Sequence, residues 1–130
     1  MSRAEARFDE VLRECIDDPV ITIHRKVRMA DILTVVPGSD QWQHWFNRIS
    51  SKHVDFLVCL GQRPIAVIEL DDRSHDHPKR RARDEFVDDA YEAAGLPILH
   101  VRASVSYDQE PLARFIEEAA YSIAHSNGRT

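Results

Sequence analysis

Three acidic residues lie within two segments that otherwise have the composition of buried β-strands. Asp55 stands in HVDFLVCL, and Glu69 and Asp71 stand in PIAVIELDD. Carboxylates are rarely buried without a partner, because removing their charge from water is costly. Oxygen ligands of this kind favour Mg²⁺ or Mn²⁺. The three residues therefore predict a metal site, unless Glu69 and Asp71 lie in water at a strand end and Asp55 pairs with an Arg or Lys.

The two apolar segments are predicted to form a β-hairpin, because a short polar stretch with a glycine separates them. A three-residue loop, 61–63, would pair Asp55 with Glu69, and opposed side chains on paired strands lie about 5 Å apart. Alternation along a strand also places Glu69 and Asp71 on one face. Three acids that converge in this way repel one another, so a cation or a proton must neutralise them.

The other elements are predicted from hydrophobic periodicity and turn residues. They are a helix at 3–16, a strand at 20–28, a helical turn or strand extension at 29–35, an aromatic-containing loop at 37–50, a helix at 82–93 capped by Gly95, a strand at 96–103 and an amphipathic helix at 112–123. A strand, a crossover helix and a further strand make the last strand parallel to a neighbour. The order α-β-β-β-α-β-α predicts an α/β fold with helices on both faces of a central mixed four-stranded sheet.

Length and composition limit the classes of protein to consider. The 130 residues suffice for one domain, 1–130, but not for two ordinary ones. No apolar run approaches the length of a membrane helix and no signal-peptide core is present, which predicts a cytoplasmic protein without a membrane partner. Cys15 and Cys59 are predicted to be small core residues rather than a disulfide. The net charge of −5 argues against a uniformly basic surface for nucleic acid.

Basic and aromatic clusters are local features of the sequence. The densest basic run follows the acidic strand and comprises Lys79, Arg80, Arg81 and Arg83, and a second cluster comprises Arg25, Lys26 and Arg28. Such runs are typical of a solvated helix face at least as often as of phosphate contact. The loop aromatics Trp42, Trp45 and Phe46 either pack onto the domain or stack on bases.

Histidines after the acidic strand are candidates for proton transfer. His75 follows Asp71 by four residues, and the ordinary pKa of a histidine, about 6.5, suits proton transfer near neutrality. The alternative is a loop histidine that only forms hydrogen bonds. His77 lies two residues further on, but no third ligand is spaced for a zinc site.

The order of elements and the acidic strand pair resemble the restriction-endonuclease-like fold of the PD-(D/E)xK nuclease superfamily. The strings KHVDFLVC and AVIELDDRSHDHPKRRARDEFVDDAYEAAGLPILHVRA, with Ala4-Glu5, look like domain-of-unknown-function family 2726 over nearly the whole chain. The chain is also similar to the branch that includes the very-short-patch-repair mismatch endonucleases. The resemblance implies a three-layer α/β/α architecture.

The resemblance also implies roles for individual residues. It makes Asp55 the motif aspartate that bridges the metal and Glu69 the acidic residue of the (D/E)xK segment, while Asp71 stands in the place of the lysine. Glu5 matches an acidic residue of the first helix that points toward the metal in this fold. The spacing of Ser2 and Glu5 also predicts a capping box, which explains Glu5 without a catalytic role.

The absence of the motif lysine is the difference from the family that matters most for activity. In the family this lysine orients or deprotonates water and stabilises the phosphate. Its role must pass to a histidine or another cation, or the protein is inactive. His75 is the preferred substitute, and Lys52, Lys79 and Arg83 are the alternatives.

The resulting hypothesis is an endonuclease that depends on Mg²⁺, or on Mn²⁺, and hydrolyses DNA phosphodiester bonds in repair, processing or defence. Asp55, Glu69 and Asp71 would hold the metal, other DNA-processing proteins would be partners, and the residues in contact with the DNA backbone would be Lys52, Lys79, Arg80, Arg81 and Arg83. One alternative is a non-catalytic nucleic-acid or protein interaction module on the same fold. Another is a metal-dependent hydrolase of a small phosphorylated or nucleotide substrate. A monomer would nick DNA, whereas a dimer could cut both strands.

Overall fold

The computed structural model describes residues 2–33, 52–71, 88–92 and 95–127. Its elements are α1 (Arg3–Glu14), β1 (Ile21–Arg28), α2 (Met29–Leu33), β2 (His53–Leu60), β3 (Arg63–Asp71), β4 (Ile98–Arg102) and α3 (Gln109–Asn127). Residues 88–92 are also helical. The predicted order of elements is confirmed, and α2 shows that the stretch after β1 begins as a helix rather than as more strand.

The sheet is mixed and four-stranded, with the order β1-β2-β3-β4. The first two pairs are antiparallel and β3 pairs with β4 in parallel, as the crossover predicted. In this arrangement β1, β3 and β4 end, and β2 begins, at the same end of the sheet. We call it the acidic end, because Asp55, Glu69 and Asp71 lie there.

The hairpin between β2 and β3 differs from the predicted one in two ways that cancel. Its turn has two residues, 61–62, rather than three, because Gly61 adopts a left-handed φ of 62° that a tight hairpin turn requires. A register shift opposite Val58 and Cys59 then leaves one extra residue, Ile65, in β3. Beyond it Phe56 faces Ile68, so the next residues toward the acidic end are Asp55 and Glu69.

Two hydrophobic clusters lie on opposite faces of the sheet and give it a three-layer arrangement. Phe8 and Leu12 of α1 and Ile116 of α3 pack on the face that carries Phe56 and Ile68. The other cluster is formed by residues of α2, of the helical segment 88–92 and of the strand side chains that face them, namely Met29, Ile32, Leu57, Val67, Ala90 and Tyr91. Both cysteines are free, and Cys59 belongs to this second cluster.

Gly95 caps the helical segment that precedes β4, as predicted. Gly95 has a φ of 77°, its N–H donates to the carbonyl of Glu92 at 3.0 Å, and the N–H of Leu96 donates to the carbonyl of Tyr91 at 2.9 Å. These two hydrogen bonds are those of a Schellman motif. Within the ranges described, no helix has the length and apolar character to cross a membrane.

Side chains of β1 change faces at Lys26. Ile23 packs in the cluster of α1 and α3, whereas Val27, which strand alternation would place on the same face, packs in the opposite cluster. Lys26 lies between them with a left-handed φ of 54°. This conformation costs on the order of 1–3 kcal/mol for a residue other than glycine.

The neighbouring strand changes faces at the same level. Phe56 belongs to the cluster of α1 and α3, and Val54 belongs to the opposite cluster. Asp55 lies between them, opposite Lys26, because the flanking pairs of β1 and β2 are in continuous register. The two charged residues therefore occupy the point at which the sheet departs from regular alternation.

Candidate active site

The structure brings Asp55 and Glu69 together at the acidic end of the sheet, as the predicted pairing requires. Oδ2 of Asp55 accepts a hydrogen bond from the N–H of Leu70 at 2.8 Å, which fixes the carboxylate across the gap between β2 and β3. The carboxyl groups of Asp55 and Glu69 lie close enough for Asp55 to raise the pKa of Glu69. They are partly exposed rather than fully buried, and the side chain of Asp55 is 22% exposed.

Glu69 is neutral at physiological pH. Burial is the main cause that raises the pKa of its carboxyl from 4.5 to about 9, and the charge of Asp55 and the hydrogen bond to its side chain raise it further. The charge of Asp71 acts in the same direction, while a hydrogen bond from the backbone of Asp55 opposes it. A proton thus neutralises one of the converging acids, and a divalent cation could take its place.

Lys26 supplies a positive charge beside this pair. Its Nζ lies 3.4 Å from Oδ1 of Asp55 and 3.4 Å from Oε2 of Glu5, so one ammonium group joins α1 to β2. Burial lowers the pKa of Lys26, but the charges of Asp55 and Glu5 outweigh that effect and raise the pKa above its ordinary value. The group therefore stays charged.

Glu5 lies in the first turn of α1, and its backbone and side chain make different contacts. Its backbone N–H donates to Oγ of Ser2 at 3.1 Å, which confirms Ser2 as the N-cap of α1. Its carboxylate forms an ion pair with Lys26. The N-cap thus sets the start of α1 so that the Glu5 side chain lies near the acidic end.

Asp71 contacts a histidine that has no role in the sequence-based hypothesis. Nδ1 of His100 lies 3.1 Å from Oδ2 of Asp71, and Nε2 lies 2.9 Å from Oδ1 of Asp88. An imidazole can donate from both nitrogens only when it is protonated. Burial lowers the pKa of His100, but Asp88 and Asp71 outweigh that effect and raise it. His100 thus fastens the helical segment 88–92 to β3 and β4.

Replacing His100 by glutamine is expected to lower the free energy of unfolding by roughly 1 kcal/mol at pH 6 and by less at pH 9. The value is modest because the side chain is 32% exposed and water screens its ion pairs. Since folding raises the pKa of His100, its contribution is complete below the ordinary pKa and is lost as the pH rises through the folded value. Urea unfolding of both proteins from pH 5 to 9 measures the difference.

The matched control is His24→Gln, because His24 lies 3.0 Å from the neutral hydroxyl of Thr22 rather than beside carboxylates. This variant should change stability little at any of these pH values. A His100→Gln difference that stays constant from pH 5 to 9 would mean that His100 does not act as a cation.

Tyr91 has a buried hydroxyl near the acidic pair. The residue is 0% exposed, and its hydroxyl has no hydrogen-bond partner among the described residues. Burial chiefly, and then the charge of Glu69, raises the pKa of this hydroxyl. An unsatisfied polar atom beside a neutral carboxyl is consistent with a position that receives a polar ligand or water.

Removing that hydroxyl in Tyr91→Phe is expected to raise the free energy of unfolding by about 1 kcal/mol, because an unsatisfied buried polar group is unfavourable. Tyr107→Phe is the control, since its hydroxyl accepts a hydrogen bond from the N–H of Ser104 at 3.0 Å and should stabilise the fold. Urea unfolding of the metal-free protein measures both. Destabilisation of equal size in both variants would show that the Tyr91 hydroxyl is already satisfied.

Several predicted site residues lie outside the described part of the chain. They are His75, Lys79, Arg80, Arg81 and Arg83, together with His77 and the loop aromatics Trp42, Trp45 and Phe46. Lys52 is described: it immediately precedes β2, and its carbonyl accepts a hydrogen bond from the N–H of Met29 at 2.9 Å. Contact between Lys52 and DNA stays a prediction.

The donor atoms at the acidic end fit a hard divalent cation that is held by few protein ligands. Across 2–33, 52–71, 88–92 and 95–127, no three His, Cys, Asp or Glu side chains are grouped closely enough to hold a metal ion. Asp55 and Glu69 form a pair, while Asp71 contacts His100. Mg²⁺ is commonly bound by one or two carboxylates, with water and substrate phosphates as its other ligands. The pair meets that requirement.

The sequence-based hypothesis gives no site role to Lys26 or His100, although each lies opposite an acidic residue once the strands are paired. Lys26 was noted only as part of a basic cluster, but extending the antiparallel register of β1 and β2 places it opposite Asp55. His100 faces Glu69 in the parallel register of β3 and β4, in which ILHVR aligns with VIELD. Strand register could not have predicted the position of Tyr91, because this residue lies on a helix.

The family model that matches this sequence is described as a protein of unknown function (DUF2726), and the match covers residues 1–120. No curated protein and no solved structure matched the chain.

Proposed function

The chain belongs to the DUF2726 family, and we propose that it is a metal-dependent nuclease that hydrolyses phosphodiester bonds in DNA. The observation that carries the proposal is the pair of Asp55 and Glu69 on neighbouring strands: the N–H of Leu70 holds the Asp55 carboxylate, and burial and the charge of Asp55 raise the pKa of Glu69. Two acids held this close are unfavourable for folding alone, and a cation would relieve their repulsion. The resemblance to the PD-(D/E)xK nucleases supports the same assignment.

Asp55 and Glu69 would hold Mg²⁺ or Mn²⁺, and Glu69 would release its proton when the ion binds. A divalent ion held there would polarise the scissile phosphate and lower the pKa of the attacking water. In the hydrolysis, the oxygen of that water bonds to phosphorus and the bond from phosphorus to the leaving sugar oxygen breaks. The water gives up a proton and the leaving oxygen takes one; His75 is the proposed carrier.

The proposed substrate follows from basic residues, one directly before β2 and four in the sequence after β3. Lys52 and the basic run Lys79, Arg80, Arg81 and Arg83, which follows Asp71 in the sequence, would contact the DNA backbone. Phosphate contacts position a duplex without reading its sequence. The protein would therefore cleave with little sequence preference unless a partner supplies it.

The alternative is an interaction module without activity. It is favoured by the contact of Asp71, which stands in the place of the motif lysine, with His100. In this contact Asp71 can stabilise the fold whether or not the protein catalyses a reaction.

Cleavage of supercoiled plasmid and of a labelled oligonucleotide, in Mg²⁺, in Mn²⁺ and in a chelator, tests the proposal. Wild-type protein should cleave with either metal and not with the chelator, and Asp55→Asn and Glu69→Gln should be inactive. Glu110→Gln is the matched control, because its carboxylate pairs with Arg114 on the surface of α3, at 2.8 Å. It should cleave at the wild-type rate.

Absence of cleavage with both metals and both DNA forms would contradict the nuclease proposal and favour the interaction module. Equal activity in wild type, Asp55→Asn and Glu69→Gln would instead identify a contaminating nuclease. Hydrolysis of bis(p-nitrophenyl) phosphate but not of DNA would identify a small-substrate hydrolase.

A further inference from the structure

We propose that Lys26 is a catalytic residue of this site, and that its ammonium group binds the scissile phosphate beside the cation held by Asp55 and Glu69. The inference rests on the proposed function and adds to it the residue that stabilises the reacting phosphate. It assigns to β1 a positive charge that the sequence-based hypothesis sought in Lys52 or in the residues after β3.

The first support is the backbone of Lys26. In the described part of the chain it is the one non-glycine residue with a positive φ, 54°, and it lies within a strand whose flanking residues are regularly paired. Left-handed backbone is uncommon at a residue with a long side chain, and where it persists the surrounding structure must impose it. Such strain is found preferentially at functional sites, which points to a required position for this side chain.

The second support is the position of the ammonium group. Nζ of Lys26 is 3.4 Å from oxygens of both Asp55 and Glu5. The two carboxylates come from different elements, α1 and β2, so together they fix the position of the ammonium group. A cation that binds Asp55 would still leave Lys26 held by Glu5, with N–H donors directed to a ligand of that cation.

The third support is accessibility. The Lys26 side chain is 56% exposed, whereas those of Asp55 and Glu5 are 22% and 25% exposed. The ammonium group is thus anchored on its buried side and open to solvent on the other. A phosphodiester that approaches from solvent would meet the ammonium group next to the acidic pair, and a preorganised positive charge there would stabilise the charge that develops on phosphate.

A purely structural role for Lys26 predicts a different result. Surface ion pairs contribute little to stability, so a bridge between α1 and the sheet is a weak reason to keep a strained residue. If Lys26 only joined these elements, its loss would weaken metal binding and cleavage together by loosening the site. If it shares Asp55 with the metal, its loss should remove a competing charge, tighten metal binding and slow the reaction.

The experiment therefore measures two quantities in each variant: Mn²⁺ affinity without DNA, by calorimetry, and kcat and KM for an oligonucleotide. Lys26→Met should bind Mn²⁺ at least as tightly as wild type and lose about 10²-fold in kcat, the effect of removing one preorganised donor. Lys26→Arg keeps the charge and should recover part of kcat. Arg114→Met, which removes a cation from the surface pair with Glu110, should match wild type in both.

Lys26→Gly is the control for a folding defect, because glycine adopts the left-handed conformation without strain. It should fold and show the same loss of kcat as Lys26→Met. The inference is overturned if Lys26→Met and Lys26→Gly keep kcat within about threefold of wild type while Asp55→Asn is inactive, or if Mn²⁺ binding falls in parallel with kcat. Wild-type protein that does not cleave, or Asp55→Asn that does, overturns the proposed function and the role of Lys26 with it.

Discussion

Replacing Glu69 by glutamine is expected to stabilise the metal-free protein by on the order of 3 kcal/mol at pH 7. Folding raises the pKa of Glu69 from 4.5 to about 9, so the folded protein keeps this proton at pH values where the unfolded chain has lost it. Between these two values, each pH unit lowers the free energy of unfolding by about 1.4 kcal/mol. The contribution of Glu69 is therefore complete below pH 4.5 and is lost as the pH rises toward 9. Glutamine has no proton to lose and can still donate to Asp55.

Urea unfolding from pH 4 to 9 provides the measurement. The wild-type free energy of unfolding should fall relative to that of Glu69→Gln as the pH rises, so that the two profiles diverge. Glu110→Gln makes the same chemical change in an exposed ion pair and should run parallel to wild type. If the Glu69→Gln profile is also parallel, Glu69 is ionised in the folded protein at neutral pH and the argument for a shared proton is wrong.

Replacing Asp55 by asparagine is expected to reduce DNA cleavage by about 10³-fold or more, since the cation would lose its principal charged ligand. The fold should survive, because the amide oxygen of asparagine can still accept the hydrogen bond from Leu70. The change also removes a charge that raises the pKa of Glu69, so the dependence of stability on pH should weaken. Cleavage rates and urea unfolding of the same preparation test both statements.

Asp31→Asn is the matched control for Asp55→Asn. Asp31 pairs with Arg28 at 3.1 Å, and both side chains are more than half exposed. Its loss should leave cleavage and the pH dependence of stability unchanged. Cleavage by Asp55→Asn within tenfold of wild type would mean that Asp55 is not a ligand of the reactive metal.

The sheet and its order were predictable because the signals are local. The apolar strands β2 and β3 are joined by a short glycine-containing turn, and the crossover to β4 fixes a parallel pair. The pairing of Asp55 with Glu69 was reached by counting through a loop one residue too long. The predicted pairing is correct only because the register shift opposite Val58 and Cys59 compensates for the shorter turn.

The electrostatic partners of the site were not predictable from local patterns. The left-handed conformation of Lys26 has no sequence signature, since lysine rarely adopts it. The contacts of His100 with Asp71 and Asp88 join three elements that are distant in sequence. Periodicity identifies elements and faces, whereas these contacts depend on strand ends, helix positions and side-chain reach.

Calorimetric titration of Mn²⁺ into the protein at pH 7.5, repeated in two buffers of different ionisation enthalpy, tests the central claim that Asp55 and Glu69 form a divalent-cation centre. Because Glu69 is protonated before the ion binds, we expect saturable binding with release of about one proton. In Glu69→Gln, binding should weaken and the proton release should disappear. No Mn²⁺ binding by the wild-type protein, or equal binding and proton release in Glu69→Gln, would contradict the account.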